Sequence, residues 1–198
     1  MKHLDSREDF NTDEEFANFR SLILRNRKST MFFRSASAIK NTYGRLEITQ
    51  KLMRERSIVS IIDFSDVRYR CMSYEFGLAL TRKIYEIFAK ESPYIIQCDA
   101  GKKRTGFVCI VLEMLSGTTY DNIVADYLES YKNNNGIDFS INPEIAKKIE
   151  FQKVQKIIRY INDDNDYEKA NLKTIACKYL QKHGMSKQEI KMLQAKLY

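Results

Sequence analysis

A cysteine and an arginine separated by five residues are the pair in this sequence best suited to chemistry. Residues 97–106 read Gln-Cys-Asp-Ala-Gly-Lys-Lys-Arg-Thr-Gly, so that Gly101 lies between Cys98 and Arg104. A loop of this length can turn successive backbone N–H groups inward and bind an anion where a helix begins. Arg104 would fork two phosphate oxygens, and the same positive potential would favour the thiolate form of Cys98. The spacing predicts attack by Cys98 on phosphorus and a covalent cysteinyl-phosphate.

The flanking residues predict that a strand and a helix position this loop. An apolar run at 94–96 predicts a strand over 94–97, directly before the cysteine. The run from Phe107 to Leu115 is apolar all round, as expected of a buried central helix. Further strands are expected at 31–33 and 58–62. Helices are also predicted at 46–56, 76–90, 143–162, 167–183 and 186–197, with Pro143 first in the third of these and a capping box Ser186-x-x-Glu189 at the start of the last. One more helix is predicted to begin at a capping box Thr118-x-x-Asp121 and to end before a turn at 133–136.

Alternation of strands and helices predicts an α/β fold with a mostly parallel central sheet flanked by helices. A chain of 198 residues is enough for one domain with a full core. We expect residues 1–18 to form a loose polar lead-in and residues 19–162 to form the catalytic domain. Residues 163–198 would form a helical C-terminal extension packed on that domain.

Several stretches resemble a known family. Cys-x5-Arg-Thr-Gly resembles the phosphate loop of the cysteine-dependent protein tyrosine and dual-specificity phosphatase superfamily. Residues 101–109 and 122–127 resemble the bacterial tyrosine phosphatase family that usually reads Gly-Lys-Asp-Arg-Thr-Gly, which includes secreted lipid-phosphatase-like enzymes. Residues 33–36 resemble its Arg-Ser-Ala stretch, and the last thirty residues resemble its C-terminal helices. The resemblance implies a phosphatase without a cofactor that acts on phosphotyrosine, on several phosphorylated residues or on phosphoinositides.

The resemblance also implies which residues bind substrate. Arg34, after the first predicted strand, could bind substrate or form a structural salt bridge. Thr105 could cap the helix, donate to the Cys98 sulfur, or do both. Lys103 stands where relatives carry Asp, and Gln97 stands where they carry His, which indicates weaker activation of the thiol. The loop residues expected to contact substrate are Asp99, Ala100, Gly101, Lys102, Lys103 and Thr105.

The leaving group needs a proton, and three aspartates could supply it. In the wider superfamily the donor lies on a mobile loop some thirty residues before the cysteine, and Asp66 is 32 residues before Cys98 (98 − 66). Asp66 is therefore the first choice, ahead of Asp63 and Asp99. Cys71 could form a protective disulfide with Cys98, as cysteines of some relatives do, or be a spectator.

Composition limits the partners and the setting. The net charge is +7, but the basic residues are dispersed, without zinc-finger spacing or an RNA-binding aromatic motif, so we expect no nucleic-acid partner. The four cysteines have no metal-ligand spacing, and no apolar stretch approaches the roughly 20 residues of a membrane span. These features favour a cytoplasmic protein with at most peripheral membrane contact, although export without a cleaved signal stays open.

The expected substrate is a phosphorylated protein or a phosphoinositide. Two adjacent lysines, Lys102 and Lys103, favour a highly anionic one. A second hypothesis follows from Gln97, Lys103 and a shortened acid loop: a weakly active or inactive module that binds phosphate without turnover.

Overall fold

The structure is a computed structural model that describes residues 4–167 and 170–197. A short 3-10 turn at Arg7–Asp9 precedes the first helix. The elements that follow, in chain order, are α1 (Asp13–Ala17), β1 (Arg20–Leu24), β2 (Arg27–Ser35), α2 (Leu46–Glu55), β3 (Ser60–Asp63), α3 (Tyr74–Ala89), β4 (Tyr94–Gln97), α4 (Lys103–Ser116), α5 (Tyr120–Asn135), α6 (Pro143–Ile149), a π-helical segment (Glu150–Gln155), α7 (Lys156–Ile161), α8 (Leu172–Lys182) and α9 (Lys187–Lys196).

The central sheet has the strand order β1-β2-β4-β3. Strands β2, β4 and β3 are parallel, and in their register Phe33 and Ile61 both lie beside Ile95 of β4. β1 pairs antiparallel with β2 at one edge. The predicted α/β class with a mostly parallel sheet is confirmed, although β1 was not predicted. Because the three parallel strands end on the same side, their carboxyl ends form one edge where a site can be built.

Helix α4 is the centre of the core, as its sequence predicts. Every residue from Thr105 to Ser116 is buried, so the helix is surrounded by protein. The ring of Phe107 packs against Phe76 of α3, with centroids 5.3 Å apart, and against Tyr179 of α8, with centroids 6.0 Å apart. The C-terminal helices therefore share one hydrophobic core with the sheet. Within the described ranges, no helix is both long and apolar enough to cross a membrane.

The N-terminal segment is more ordered than its polar sequence indicates. Thr12 caps α1 by accepting a hydrogen bond from the N–H of Glu15, and Phe16 is buried. The guanidinium of Arg45 lies over the rings of Phe10 and Phe16, at 5.7 and 5.2 Å from their centroids. The expectation of a loose lead-in is thus wrong over residues 4–18, because two aromatic rings supply an apolar anchor. Residues 1–3 lie outside the described residues.

Two local predictions about α5 are also wrong. Thr118 does not form a capping box, because its hydroxyl donates to the carbonyl of Ile23 and the helix begins at Tyr120. The asparagine run predicted as a turn continues the helix, which ends at Gly136 in the left-handed conformation. The capping box of Ser186 is confirmed. The helix predicted for 167–183 is α8, which begins at Leu172; residues 168 and 169 of that prediction, and residue 198 of the C-terminal extension, lie outside the described residues.

Candidate active site

A pocket of about 280 Å³ opens where β4 ends and α4 begins. Its position follows from the topology, because the crevice at the carboxyl ends of parallel strands is where α/β proteins bind ligands. Cys98 is only 4% exposed, so its sulfur lies at the base of this pocket. The lining residues are Tyr43, Cys98, Asp99, Ala100, Lys102, Lys103 and Arg104.

The loop between β4 and α4 turns its carbonyl groups towards surrounding protein. The N–H of Ser37 donates to the carbonyl of Asp99 at 3.2 Å, and the side-chain amide of Asn18 donates to the carbonyls of Ala100 and Gly101 at 3.3 and 3.0 Å. Among the described residues, no backbone carbonyl accepts a hydrogen bond from the N–H groups of Asp99, Ala100, Lys102, Lys103 and Arg104. Carbonyls bound outward and N–H groups left unbonded at a helix N-terminus make an anion site.

Gly101 is required by both its conformation and its surroundings. Its φ is +63°, in the left-handed region that glycine adopts without strain. A Cβ atom at this position would lie 2.2 Å from the carbonyl oxygen of Ser35, at the end of β2. The glycine therefore lets the loop pack directly against the neighbouring strand and keep its curvature.

The guanidinium of Arg104 connects the loop to the segment after β3. Its Nη1 donates to the carbonyls of Phe64 and Ser65 at 2.7 and 2.8 Å, and its Nη2 lies 3.3 Å from Oδ2 of Asp99. These contacts fix a planar cation at the wall of the Cys98 pocket. The remaining donors suit a bidentate contact with an oxyanion.

Gln97 ties together the ends of three segments behind the pocket. It is fully buried, and its Oε1 accepts from the N–H of Ala38 at 2.9 Å while its Nε2 donates to Oδ1 of Asp63 at 3.3 Å. An uncharged amide that accepts one bond and donates the other thus holds the loop after β2 and the end of β3 on β4. Gln97, which was expected to weaken activation of the thiol, thus uses its side-chain oxygen and nitrogen to connect three segments of the fold.

Arg34 lies behind the loop and does not line the pocket. Its side chain is fully buried; one Nη donates to the carbonyl of Gly101 at 2.9 Å and to Oγ of Ser130 at 3.0 Å, and the other bonds to Asp126. Arg20 reaches the same carboxylate at 2.7 Å. Of the two roles expected for Arg34, the structure has the structural salt bridge. The assignment of Arg34 to substrate binding is therefore corrected: it contacts the loop from beneath and holds it in position.

Two guanidinium groups share one carboxylate in this cluster. Burial by itself would raise the pKa of Asp126, but the charges of Arg20 and Arg34 outweigh burial and hold that pKa below its usual value. Burial raises the pKa of Glu113 well above its usual value, and the negative charge of Asp126 adds to the effect. Neither carboxylate oxygen of Glu113 has a hydrogen-bond partner among the described residues. Asp126 is therefore the anion to which both arginines bond.

Lys102 turns from the pocket wall towards α5. Its Nζ donates to Oδ1 of Asn135 at 2.8 Å and lies 4.4 Å from the centroid of the Tyr131 ring. Burial lowers the pKa of Lys102 to about 8, and the charges of Lys103, Arg45 and Lys153 add to the effect. Positive potential is thus concentrated around the start of α4.

The three candidate proton donors occupy different positions. Asp66 is exposed, outside the pocket lining, and its Oδ2 lies 3.5 Å from Nζ of Lys83. Asp63 accepts from the N–H and hydroxyl of Ser65 at 3.1 and 2.8 Å. Asp99 lines the pocket and contacts Arg104. The structure therefore does not bring Asp66 next to Cys98, and Asp99 is the one of the three that lies in the pocket wall.

Two smaller expectations concern the environment of Cys98. The hydroxyl of Thr105 is buried but bonds to no described residue, so it neither caps α4, whose N-cap is Lys102, nor donates to the sulfur. Cys71 and Cys98 are both free thiols, so they form no disulfide in this structure. Burial raises the pKa of Cys71 to about 11.

Asn18, Tyr43 and Asp126 are site residues that the sequence did not single out for a role. Asn18 donates to a backbone carbonyl of the loop, and Asp126 bonds to Arg34, the buried arginine beneath the loop. Their contacts join positions more than eighty residues apart, and no local pattern reports such distances. Asp126 lies in the 122–127 stretch that resembles the family, and this resemblance was the one feature of the sequence that could have indicated a role for it.

The fold and the loop together define a phosphatase-type site: a parallel strand, an anion-binding turn that starts with a cysteine, and an arginine in the first turn of a buried helix. The chain belongs to the tyrosine phosphatase family, whose model matches residues 9–198. Membership confirms the expected family and supports phosphatase activity; the bacterial, lipid-phosphatase-like subgroup stays a prediction. None of the curated proteins matches the chain.

Proposed function

We propose that the chain hydrolyses phosphomonoesters with Cys98 as the nucleophile, without a cofactor. The observation that carries this proposal is the pocket itself. A buried cysteine, an arginine with a fixed guanidinium and the neighbouring loop residues line about 280 Å³. The backbone N–H groups of five of these lining residues have no backbone partner among the described residues. This composition suits a phosphoryl group, whose equatorial oxygens need several donors in the transition state. Phosphotyrosine, other phosphorylated side chains and phosphoinositides are the candidate substrate classes.

In the first step, the Cys98 sulfur attacks phosphorus while the bond from phosphorus to the leaving oxygen breaks. A proton from Asp66 neutralises the departing oxygen, and the loop N–H groups with Arg104 hold the three equatorial oxygens. In the second step, a water molecule attacks phosphorus, its proton passes to Asp66, and the sulfur–phosphorus bond breaks. Inorganic phosphate leaves and the enzyme returns to its starting state.

Asp66 is the proposed acid because of where its segment is anchored. Arg104 bonds to the carbonyls of Phe64 and Ser65, directly before Asp66, so a ligand on Arg104 acts on the same segment. The ion pair of Asp66 with Lys83 is exposed, and such pairs contribute little, so the side chain is easily released from it. Asp99 is less suitable, because a carboxylate on Arg104 would compete with the bound phosphate for the same donors.

Trapping the covalent intermediate tests the proposal. Wild-type protein is mixed with a ³²P-labelled phosphomonoester in the presence of a chelator, quenched in acid and digested. We expect label on the peptide that contains Cys98, stable in acid and released by iodine, together with release of inorganic phosphate. Turnover without labelled peptide, or turnover that a chelator abolishes, would contradict the cysteine mechanism.

A second candidate function, phosphate binding without turnover, is favoured by the distance of Asp66 from the pocket lining. In the same experiment this candidate predicts retention of the labelled ester by the folded protein and no release of phosphate. Equilibrium dialysis of the labelled ester distinguishes a protein that binds the ester without hydrolysing it from one that does not bind it.

The role of Asp66 gives a prediction that depends on the leaving group. Asp66→Asn should lower kcat/KM about 10²-fold for an alkyl phosphate, whose leaving oxygen needs a proton, and much less for p-nitrophenyl phosphate. Asp63→Asn is the matched control on the same segment. If Asp99→Asn shows the leaving-group dependence and Asp66→Asn does not, the acid is Asp99.

A further inference from the structure

A second pocket, of about 250 Å³, adjoins the Cys98 pocket. Lys103 lines both pockets, so they lie on either side of one lysine. The second pocket is formed between the loop before α3, helix α5 and the segment that leads into α7. Its lining includes Lys103, Tyr127, Tyr131, Lys153, Lys156 and Ile157.

The charge of this pocket is positive and uncompensated. Lys103, Lys153 and Lys156 all line it, and none of the three forms an ion pair with a carboxylate in the part of the chain that the structure describes. The charges of Lys103 and Lys153 both help to lower the pKa of the neighbouring Lys102. Three cations around a small pocket, without an anion of the protein, would be stabilised by an anionic ligand.

The backbone that carries Lys153 and leads into Lys156 is irregular. Residues 150–155 form a π-helical segment between α6 and α7. Single π turns inside α-helices are rare and frequently lie at functional sites. Val154 is fully buried and Ile157 is buried beside the pocket, so the segment is anchored in the core while Lys153 and Lys156 remain exposed. The irregular segment thus has a defined place, with Lys153 on it and Lys156 directly after it at the pocket.

The arrangement constrains the ligand. Because one lysine separates the pockets, a ligand that fills both must carry two anionic groups close together. Neighbouring side chains of an extended peptide point in opposite directions, so a residue next to a phosphorylated one would not reach the second pocket. Two phosphates on one small polyol ring point outward from a compact body and fit the two pockets better. Aromatic walls at Tyr127 and Tyr131 suit the ring's apolar faces.

We propose that Lys103, Lys153 and Lys156 form a second anion subsite, which binds a further phosphate of a compact polyol bisphosphate while the first phosphate lies over Cys98. This inference rests on the proposed function and adds the substrate class and its specificity residues. The polyol bisphosphate could be soluble or the headgroup of a lipid.

Kinetics on matched substrates test the subsite. The variant Lys153→Ala/Lys156→Ala is compared with Lys147→Ala/Lys148→Ala, which removes two exposed lysines of α6 outside the pocket lining. The substrates are an inositol bisphosphate, an inositol monophosphate, the corresponding lipids in uncharged vesicles and an acidic phosphopeptide. We expect the first variant to lower the ratio of kcat/KM for the bisphosphate to that for the monophosphate about tenfold, because two charge-assisted contacts are lost. The control variant should leave the ratio unchanged.

Each other outcome overturns the inference. Equal losses on both inositol phosphates would show that the lysines do not bind a second phosphate. A loss confined to vesicles, equal for mono- and bisphosphate lipids, would assign the lysines to a membrane surface. A loss confined to acidic phosphopeptides would assign them to a peptide. If the wild type hydrolyses p-nitrophenyl phosphate but neither the inositol bisphosphate nor its lipid, the inference fails and the proposed function stands. If it does not hydrolyse p-nitrophenyl phosphate either, the proposed function fails, and calorimetry with the inositol bisphosphate still tests the subsite, because the first variant must bind it about tenfold more weakly.

Discussion

Replacement of Cys98 by serine should lower kcat for p-nitrophenyl phosphate by at least about 10³-fold while the protein stays folded. The sulfur is the proposed attacking atom, and a serine hydroxyl in the same place is a far weaker nucleophile without a base to take its proton. The substitution removes no hydrogen bond that the structure gives to the Cys98 side chain, because its sulfur makes none with the described residues. Steady-state phosphate release and thermal unfolding, measured side by side, provide the check.

The binding of phosphate separates loss of the nucleophile from loss of the site. Inorganic phosphate should bind Cys98→Ser as tightly as wild type, because the loop N–H groups and Arg104 are untouched. Cys177→Ser is the matched control; its cysteine is half-buried on α8, far along the chain from the pocket, and should keep full activity. A Cys98→Ser protein that retains more than about a tenth of wild-type kcat would rule out the cysteinyl-phosphate route.

Local sequence was sufficient where one short segment determines the structure. The apolar run to Gln97, the turn with Gly101 and the apolar helix that follows predicted a strand, a tight loop and a buried helix, and the structure has all three. Glycine at a positive φ and a helix that is apolar all round are local signals with direct physical causes. The mostly parallel sheet followed from alternation of strands and helices in the same way.

Sequence was insufficient where contacts join distant segments. The antiparallel strand β1 is short and half polar, and it is defined by its pairing with β2, which periodicity does not report. Asn18 is the last residue of the segment that the sequence indicates to be a loose lead-in. In the structure it is fully buried, and its side-chain amide donates to two loop carbonyls. Spacing from the cysteine pointed to Asp66, but spacing does not fix a side-chain direction, and the carboxylate faces Lys83. Arg34 had two open roles, and only its burial decides for the structural one.

The support beneath the loop gives the second large prediction: Asp126→Asn should lower the free energy of unfolding by about 3 kcal/mol. Removal of one partner from a buried ion pair leaves uncompensated charge, and here the fully buried Arg34 and the partly buried Arg20 depend on one carboxylate. Asparagine preserves the shape and one acceptor oxygen but replaces the other with an NH2 donor, so the loss combines the charge with one hydrogen bond to an arginine. Urea unfolding at neutral pH gives the number, and Asp121→Asn, at an exposed position in the first turn of the same helix, should change it by less than about 1 kcal/mol.

The pH dependence of that difference identifies its cause. The pKa of Asp126 is lower in the folded protein than its usual value, so its contribution is fully present above the unfolded value and is lost as the pH falls through the folded one. Wild type and Asp126→Asn should therefore converge in stability as the pH is lowered below about 4. A difference that stays constant down to acid pH would show that packing, and not the ion pair, accounts for the loss. Since Arg34 also bonds to the carbonyl of Gly101, the folded variant should bind inorganic phosphate more weakly than wild type at neutral pH, which links the buried charge to the curvature of the loop.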